Sequence, residues 1–311
     1  MHPAFSVILF TTASGLGYGL WFWLSLSFLG SPGGHSAYAV HLVGLAVGFV
    51  LVSLGLLSST LHLGKPMRAW RAFSQWRTSW LSREGVLAVA TYVPLVALVM
   101  LGVSGSALAK PLAPALLLLL AALSLATVAS TAMIYASLKP IPAWSHALVL
   151  PGYLGFALLT GGLGALALLA TDEAPQELAV LGLLMLAIAM VVLKRRYWRD
   201  IDRGELPATR ASALGLPADR VATVFERPHT EANYLTKEMG HVLARKHGDR
   251  LRRIALLLFG ALPVLACALT LVFPPAAGPA LAVAALSALL GAMVERWLFF
   301  AQAKHLVMLY Y

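Results

Sequence analysis

Residues 112–137 read LAPALLLLLAALSLATVASTAMIYAS. The run holds no charged side chain, is rich in leucine and alanine, and shows no alternation of apolar and polar positions. An uncharged apolar stretch of this kind matches the roughly 20 helical residues that cross the hydrocarbon of a bilayer. In lipid only a helix or a closed barrel can satisfy its own backbone, and the lack of alternation favours the helix. The same reading extends outward along the chain. Apolar runs predict helices near 5–29, 38–61, 84–105, 112–137, 143–171, 176–194, 251–273 and 279–303. The expected fold is all-α and integral to the membrane, with eight transmembrane helices in a bundle. Most connections are short. Ser31-Pro32-Gly33-Gly34 is a turn cluster, and Pro274-Pro275 closes the seventh helix. Pro151-Gly152 predicts a kink or tilt in the long fifth segment. No internal repeat stands out. The stretch 195–250 is polar, charged and far too long for a tight turn, so a long loop is expected between helices 6 and 7.

Composition agrees. Of 311 residues, 59% are hydrophobic and 12% charged, and mean hydropathy is +0.80. A soluble domain carries roughly 25% charged residues. The single cysteine, Cys267, lies in an apolar run. That excludes a disulfide framework, an all-cysteine zinc site and an iron–sulfur cluster held by this chain alone. Met1-His2-Pro3 lacks the basic region and small-residue cleavage site of a signal peptide, so the first apolar segment is expected to be a retained helix.

The net charge is +10, which alone would suit nucleic acid. Its distribution points to membrane orientation instead. Eight spans put both termini on one side, together with the loops after helices 2, 4 and 6. Of the 23 lysines and arginines, all except Lys110 and Arg296 fall on that side or at its edge. The other side holds Lys110 with the acidic Asp172, Glu173 and Glu177. The positive-inside rule makes the basic side cytoplasmic, with both termini there, in a bacterial inner membrane. Arg68, Arg71, Arg77 and Arg83, in the loop after helix 2, are candidates for docking a soluble partner. The loop 195–250 carries Trp198, Tyr234 and a candidate amphipathic helix around Tyr234–Lys246. An interfacial segment and a docking surface explain it equally well.

Ionisable side chains within spans are costly, so each is a functional candidate. His62 closes helix 2, Glu84 opens helix 3, Tyr135 lies in the last turn of helix 4, and Glu295 and Arg296 fall late in helix 8. All lie toward the basic side. A quinone headgroup needs hydrogen-bond partners for two carbonyls and a supply of protons. Histidine exchanges protons near neutral pH, glutamate carries them to water, and arginine can hold the field or pair with a carboxylate. Plainer roles fit each residue alone. His62 suits an interfacial histidine, and Glu84 suits a helix N-terminus. Glu295 and Arg296 point about 100° apart and need not pair. Heme would need two histidines at similar depth on facing helices. His62, His146 and His305 lie near the basic side and His41 near the other, with none mid-span, so intrinsic heme is not expected. The Gly44/Gly48 pair and Gly15, Gly17 and Gly19 mark close helix packing.

The run His62-Leu63-Gly64-Lys65-Pro66-Met67-Arg68-Ala69, followed by Leu81-Ser82-Arg83-Glu84, resembles the signature of the dimethyl sulfoxide reductase anchor subunit family. His2-Pro3-Ala4-Phe5-Ser6-Val7 and Thr11-Thr12-Ala13-Ser14-Gly15 are similar to it too. So are Tyr135 with Pro142-Ala143-Trp144, and Glu295-Arg296 with Phe299-Phe300. The resemblance covers nearly the whole chain except 195–250. It implies an eight-helix anchor without heme, bound to a four-cluster iron–sulfur subunit and through it to a molybdopterin catalytic subunit. Quinone, either ubiquinone or menaquinone, would exchange electrons with the nearest cluster. His62 and Glu84 match the histidine and glutamate implicated at the family's quinone site. Tyr135, Trp144 and Arg296 complete the candidate quinone-binding set.

Phe225-Glu226-Arg227-Pro228-His229-Thr230, with Asn233-Tyr234 and Lys237-Glu238-Met239-Gly240, looks like anchors of cytoplasm-facing sulfite dehydrogenases. The resemblance therefore implies electron flow from sulfite to quinone. The alternative with the same architecture is quinol oxidation feeding a sulfoxide-type reductase. A secondary transporter is a distant third, because the polar residues gather at one end rather than at the midplane.

Overall fold

The computed structural model describes residues 4–30, 35–61, 63–104, 109–170, 177–204, 206–217, 219–226 and 247–309. Eight helices within them are long and apolar enough to cross a membrane. They are α1 (Phe5–Gly30), α2 (His35–Thr60), α3 (Trp80–Ser104), α4 (Ala109–Ala136), α5 (Val149–Leu169), α6 (Glu177–Arg203), α7 (Gly248–Val272) and α8 (Ala277–Ala301). The chain is a multi-pass, all-helical membrane protein. His62 and residues 227–246, which hold the expected amphipathic helix and most of the Phe225–Gly240 motif, lie outside the described residues.

Two helices form the centre. In α1, 67% of the most apolar window is buried within the protein, and in α5 61%, against 22% in α3. The outer helices turn bulky apolar side chains to lipid, as α3 does with Val89, Val93, Val96 and Met100. Small residues let the central pair touch backbone to backbone. A Cβ on Gly19 would strike the carbonyl of Ala157, and one on Gly161 would strike the backbone of Gly19. Gly48 of α2 lies against the Trp21 indole, whose Nε1 donates to the Leu45 carbonyl at 3.0 Å. The expected close packing is met at Gly17, Gly19, Gly44 and Gly48, and not at Gly15, where a Cβ would meet its nearest neighbour only at 4.0 Å. Without a hydrophobic drive between helices in lipid, such close approach is what holds a bundle together.

Three boundaries differ from expectation, each for a physical reason. Helix α5 begins at Val149 rather than near 143. Pro151 therefore falls in its first turn, where a missing N–H costs nothing, and the expected kink is replaced by a helix start. Residues 137–148 form turns instead. Helix α6 runs on to Arg203, nine residues past the end of its apolar run. Loss of hydropathy marks the membrane edge, not the helix end, and the extension buries Tyr197 and Trp198. Helix α3 starts at Trp80, so Glu84 lies beyond its first turn.

Helix α7 contains a π-helical turn, Leu257–Ala261, just before Pro263. Proline lacks the N–H that the preceding turn expects, and a local π adjustment absorbs the mismatch. Ser287 of α8 donates to the Leu258 carbonyl at 3.1 Å, re-satisfying this stretch from a neighbouring helix.

Candidate functional site

The site is built where α3, α4, α5, α6 and α8 converge, all near the same end of the bundle. Glu84 sits one turn into α3 and is 5% exposed. Thr131 of α4 donates its hydroxyl to Glu84 Oε1. An N-terminal glutamate satisfied by the helix dipole would sit in the first turn and face water. Glu84 does neither, so that plainer role does not describe it.

Next to it, Tyr135 lies within electrostatic range of both Glu84 and Arg296. It is the hub of an aromatic cluster. Its ring meets Trp144 edge-on at 5.4 Å, Phe300 at 5.2 Å and Phe299 at 5.8 Å, and stacks on Tyr153 at 6.0 Å. Trp144 stacks on Phe299 at 5.8 Å and donates its Nε1 to the Phe299 carbonyl at 3.0 Å. The turn-forming stretch before α5 is thereby clamped to α8, and Tyr135, Trp144 and Arg296 are brought together as a group. Such aromatic pairs contribute about 0.5–1.5 kcal/mol each beyond their burial.

Arg296 is 3% exposed, with its guanidinium 3.5 Å from the centre of the Tyr153 ring. Its neighbour Glu295 is 1% exposed. The two do approach, at 3.9 Å between Nη1 and Oε2. The main partner of Glu295, however, is Lys194 of α6, whose Nζ pairs with Oε1. Hydropathy places Lys194 with the charged flank of the loop that follows. In the structure it is 4% exposed and its ammonium lies 3.8 Å from the centre of the Tyr197 ring. Sequence reasoning missed this partner because the helix continues nine residues beyond it, about 13 Å at 1.5 Å per residue. The one legible hint was an uncompensated Glu295 deep in α8.

Outside the spans, His146 meets Asp200 at 3.6 Å between Nε2 and Oδ2, and its ring lies edge-on to Tyr197 at 5.4 Å. Burial pushes the His146 imidazole below the usual histidine range and outweighs the opposing pull of Asp200. Its Nδ1 accepts from the Leu148 backbone N–H at 3.1 Å, so both ring nitrogens are engaged. His62, the remaining expected member of the site, falls outside the described residues.

The docking candidates Arg68, Arg71 and Arg77 are exposed and lie on or just after a 3₁₀ helix, Pro66–Gln75. With three residues per turn, a spacing of three makes a stripe. Met67, Trp70, Phe73 and Trp76 form one such stripe, and Arg68, Arg71 and Arg77 fall on the next. Met67, Trp70 and Trp76 are 88%, 66% and 52% exposed. Arg83 reaches back from α3, donating to the carbonyls of Trp76 at 3.0 Å and Arg77 at 2.7 Å. Ser82 donates to the Ala72 carbonyl, so the segment is tied to the helix that carries Glu84.

The profile of the family described as "DMSO reductase anchor subunit (DmsC)" matches residues 1–302. The chain is also 33% identical to a sulfite dehydrogenase subunit of Allochromatium vinosum, over 332 aligned positions that cover all of this chain and 99% of that protein. An eight-helix membrane protein matched end to end in this way belongs to the DMSO reductase anchor subunit (DmsC) family, and is the membrane anchor subunit of an oxidoreductase complex.

Proposed function

We propose that this anchor is the quinone-reactive subunit of a sulfite dehydrogenase. Sulfite would be oxidised at a molybdopterin subunit, releasing two electrons and two protons with water as oxygen donor. The electrons would pass through a four-cluster iron–sulfur subunit to a quinone held by this chain, which takes up two protons to become quinol. His62, Glu84, Tyr135, Trp144 and Arg296 form the quinone site. Glu84 supplies the proton, Arg296 holds the field, and Tyr135 and Trp144 offer flat faces to the ring.

The observation that carries this reading is Glu84. A carboxylate almost wholly buried in a transmembrane helix, bonded to one threonine and facing a tyrosine, is costly unless it does work. The full-length similarity to a sulfite dehydrogenase subunit favours sulfite as the electron source. Basic and aromatic stripes on the Pro66–Gln75 segment form the docking face for the iron–sulfur subunit, on the cytoplasmic side.

The family's own description favours one second reading, in which quinol is oxidised to feed a sulfoxide-type reductase. One experiment separates the two. The complex that co-purifies with this chain is assayed for sulfite-dependent reduction of a short-chain quinone, and for quinol-dependent reduction of dimethyl sulfoxide. The proposal expects the first activity. The second activity alone would reverse the direction of flow, and a chain that purifies without an iron–sulfur or molybdenum protein would overturn both readings.

A further inference from the structure

Three residues that line one cavity carry buried polar atoms without a hydrogen-bond partner among the described residues. They are Tyr153 Oη, Glu295 Oε2 and Arg296 Nε. The cavity lies among α5, α6 and α8 and is also lined by Lys194 and Tyr197. Its volume of about 10 Å³ is close to the space one water occupies, and a buried water needs two to four polar partners. Arg296 Nε–H and the Tyr153 hydroxyl can donate to that water, and the water can donate to Glu295 Oε2. An unsatisfied buried polar group costs about 1–3 kcal/mol, so three at one cavity argue for a water rather than a void.

This cavity stands between two further groups. On its inner side, Tyr153 lies within electrostatic range of Glu84, Tyr135 and Glu295 together. On its outer side, Glu295 pairs with Lys194, and His146 is within electrostatic range of Lys194. His146 and Asp200 are 24% and 33% exposed, so the chain of groups ends at water. Charged and polar groups this deep in a span are rare unless they line a path for ions or protons.

We propose that Tyr153, Glu295 and Lys194, bridged by a water in this cavity, form a proton relay between Glu84 and the aqueous edge at His146 and Asp200. The inference rests on the reading of Glu84 as the carboxylate of a quinone site. Quinone reduction consumes two protons with the two electrons that arrive from the iron–sulfur partner. Lys194 passes a proton to Glu295, which passes it across the water to the Tyr153 hydroxyl and on to Glu84, and Lys194 is reprotonated from water at the edge beside His146 and Asp200, so that every group returns to its starting state. Arg296 holds the water beside Glu295. Glu295 does not touch the quinone.

The test is Glu295→Gln in the complete purified complex, with three readouts: quinone turnover, the solvent isotope effect on that turnover, and affinity for a tritiated quinone analogue. Because Glu295→Gln leaves Lys194 unpaired, the double variant Lys194→Met/Glu295→Gln is measured beside it. The relay predicts that quinone turnover falls about tenfold or more. It also predicts a larger solvent isotope effect, and analogue affinity within about twofold of wild type, in whichever of the two variants assembles. Turnover that stays at wild-type level would overturn the relay. So would a loss of turnover matched by a loss of analogue binding, since Glu295 would then belong to the binding site. A wild-type complex that binds no quinone analogue would instead overturn the parent reading, and the relay with it.

Discussion

The decisive residue is Glu295, because it shows what a local reading of sequence leaves out. Its neighbour Arg296 invites pairing and does approach to 3.9 Å, yet the closest cation is Lys194 from a different helix. Buried ion pairs of this kind are weak evidence for stability but costly to break, about 3–5 kcal/mol when one partner is removed. Lys194→Met alone is therefore expected to lower thermal stability in detergent by several kcal/mol, and Lys194→Met/Glu295→Gln to recover most of that loss. Equal destabilisation in both variants, followed by circular dichroism during heating, would contradict the pairing. The candidate set Glu84, Tyr135, Trp144 and Arg296 was legible because each is a polar or aromatic residue at one end of an apolar run. Lys194 was not, because it sits at the point where the run turns charged, and only the fold reveals that the helix continues past it.

At the scale of elements, α1 and α5 decide the bundle. Their crossing depends on Gly19 and Gly161, whereas Gly15 has its nearest possible clash, the Ala157 Cβ, at 4.0 Å. Gly19→Ala is expected to cost more than about 1–3 kcal/mol, since the Cβ would meet backbone that cannot swing aside. Gly15→Ala is expected to be neutral or slightly stabilising. Thermal melts of the two variants check the contrast, and comparable losses would mean the crossing is looser than described. The glycines could be read as packing residues from sequence, but not which of them touch, because a helical period gives a face and not a partner. The 3₁₀ segment after α2 was legible only as a basic loop. Its two stripes emerge once the period is three rather than 3.6. Trp70→Ala/Trp76→Ala should weaken retention of the iron–sulfur subunit during purification. Replacing Arg68, Arg71 and Arg77 by glutamine should make that retention less sensitive to salt, because fewer exposed charges remain to be screened. Retention unaffected by both sets would move the docking face elsewhere.

For the whole molecule, charge and hydropathy together read the eight spans and their common polar end. Count and class came through because lipid tolerates few solutions to backbone hydrogen bonding. Lateral order did not, since a one-dimensional run of spans says nothing of neighbours. The orientation expected from the basic loops has a direct check. In a Cys267→Ala background, cysteine at Lys139 should be labelled by a membrane-impermeant thiol reagent only from the cytoplasmic face, and cysteine at Glu177 only from the other. Both positions are exposed at opposite ends of the bundle. Reversed labelling would show that the basic residues serve docking rather than orientation.

The central claim is that Glu84 couples the partner's electrons to quinone. Its most direct measurement compares Glu84→Gln with wild type in the purified complex, as the ratio of quinone reduction to reduction of an artificial acceptor that takes electrons from the partner subunits. Loss of a proton donor at the reacting group should lower quinone reduction about a hundredfold or more. Artificial-acceptor activity should stay at the wild-type level, so the ratio falls by the same factor. An unchanged ratio in a fully assembled Glu84→Gln complex would contradict the account.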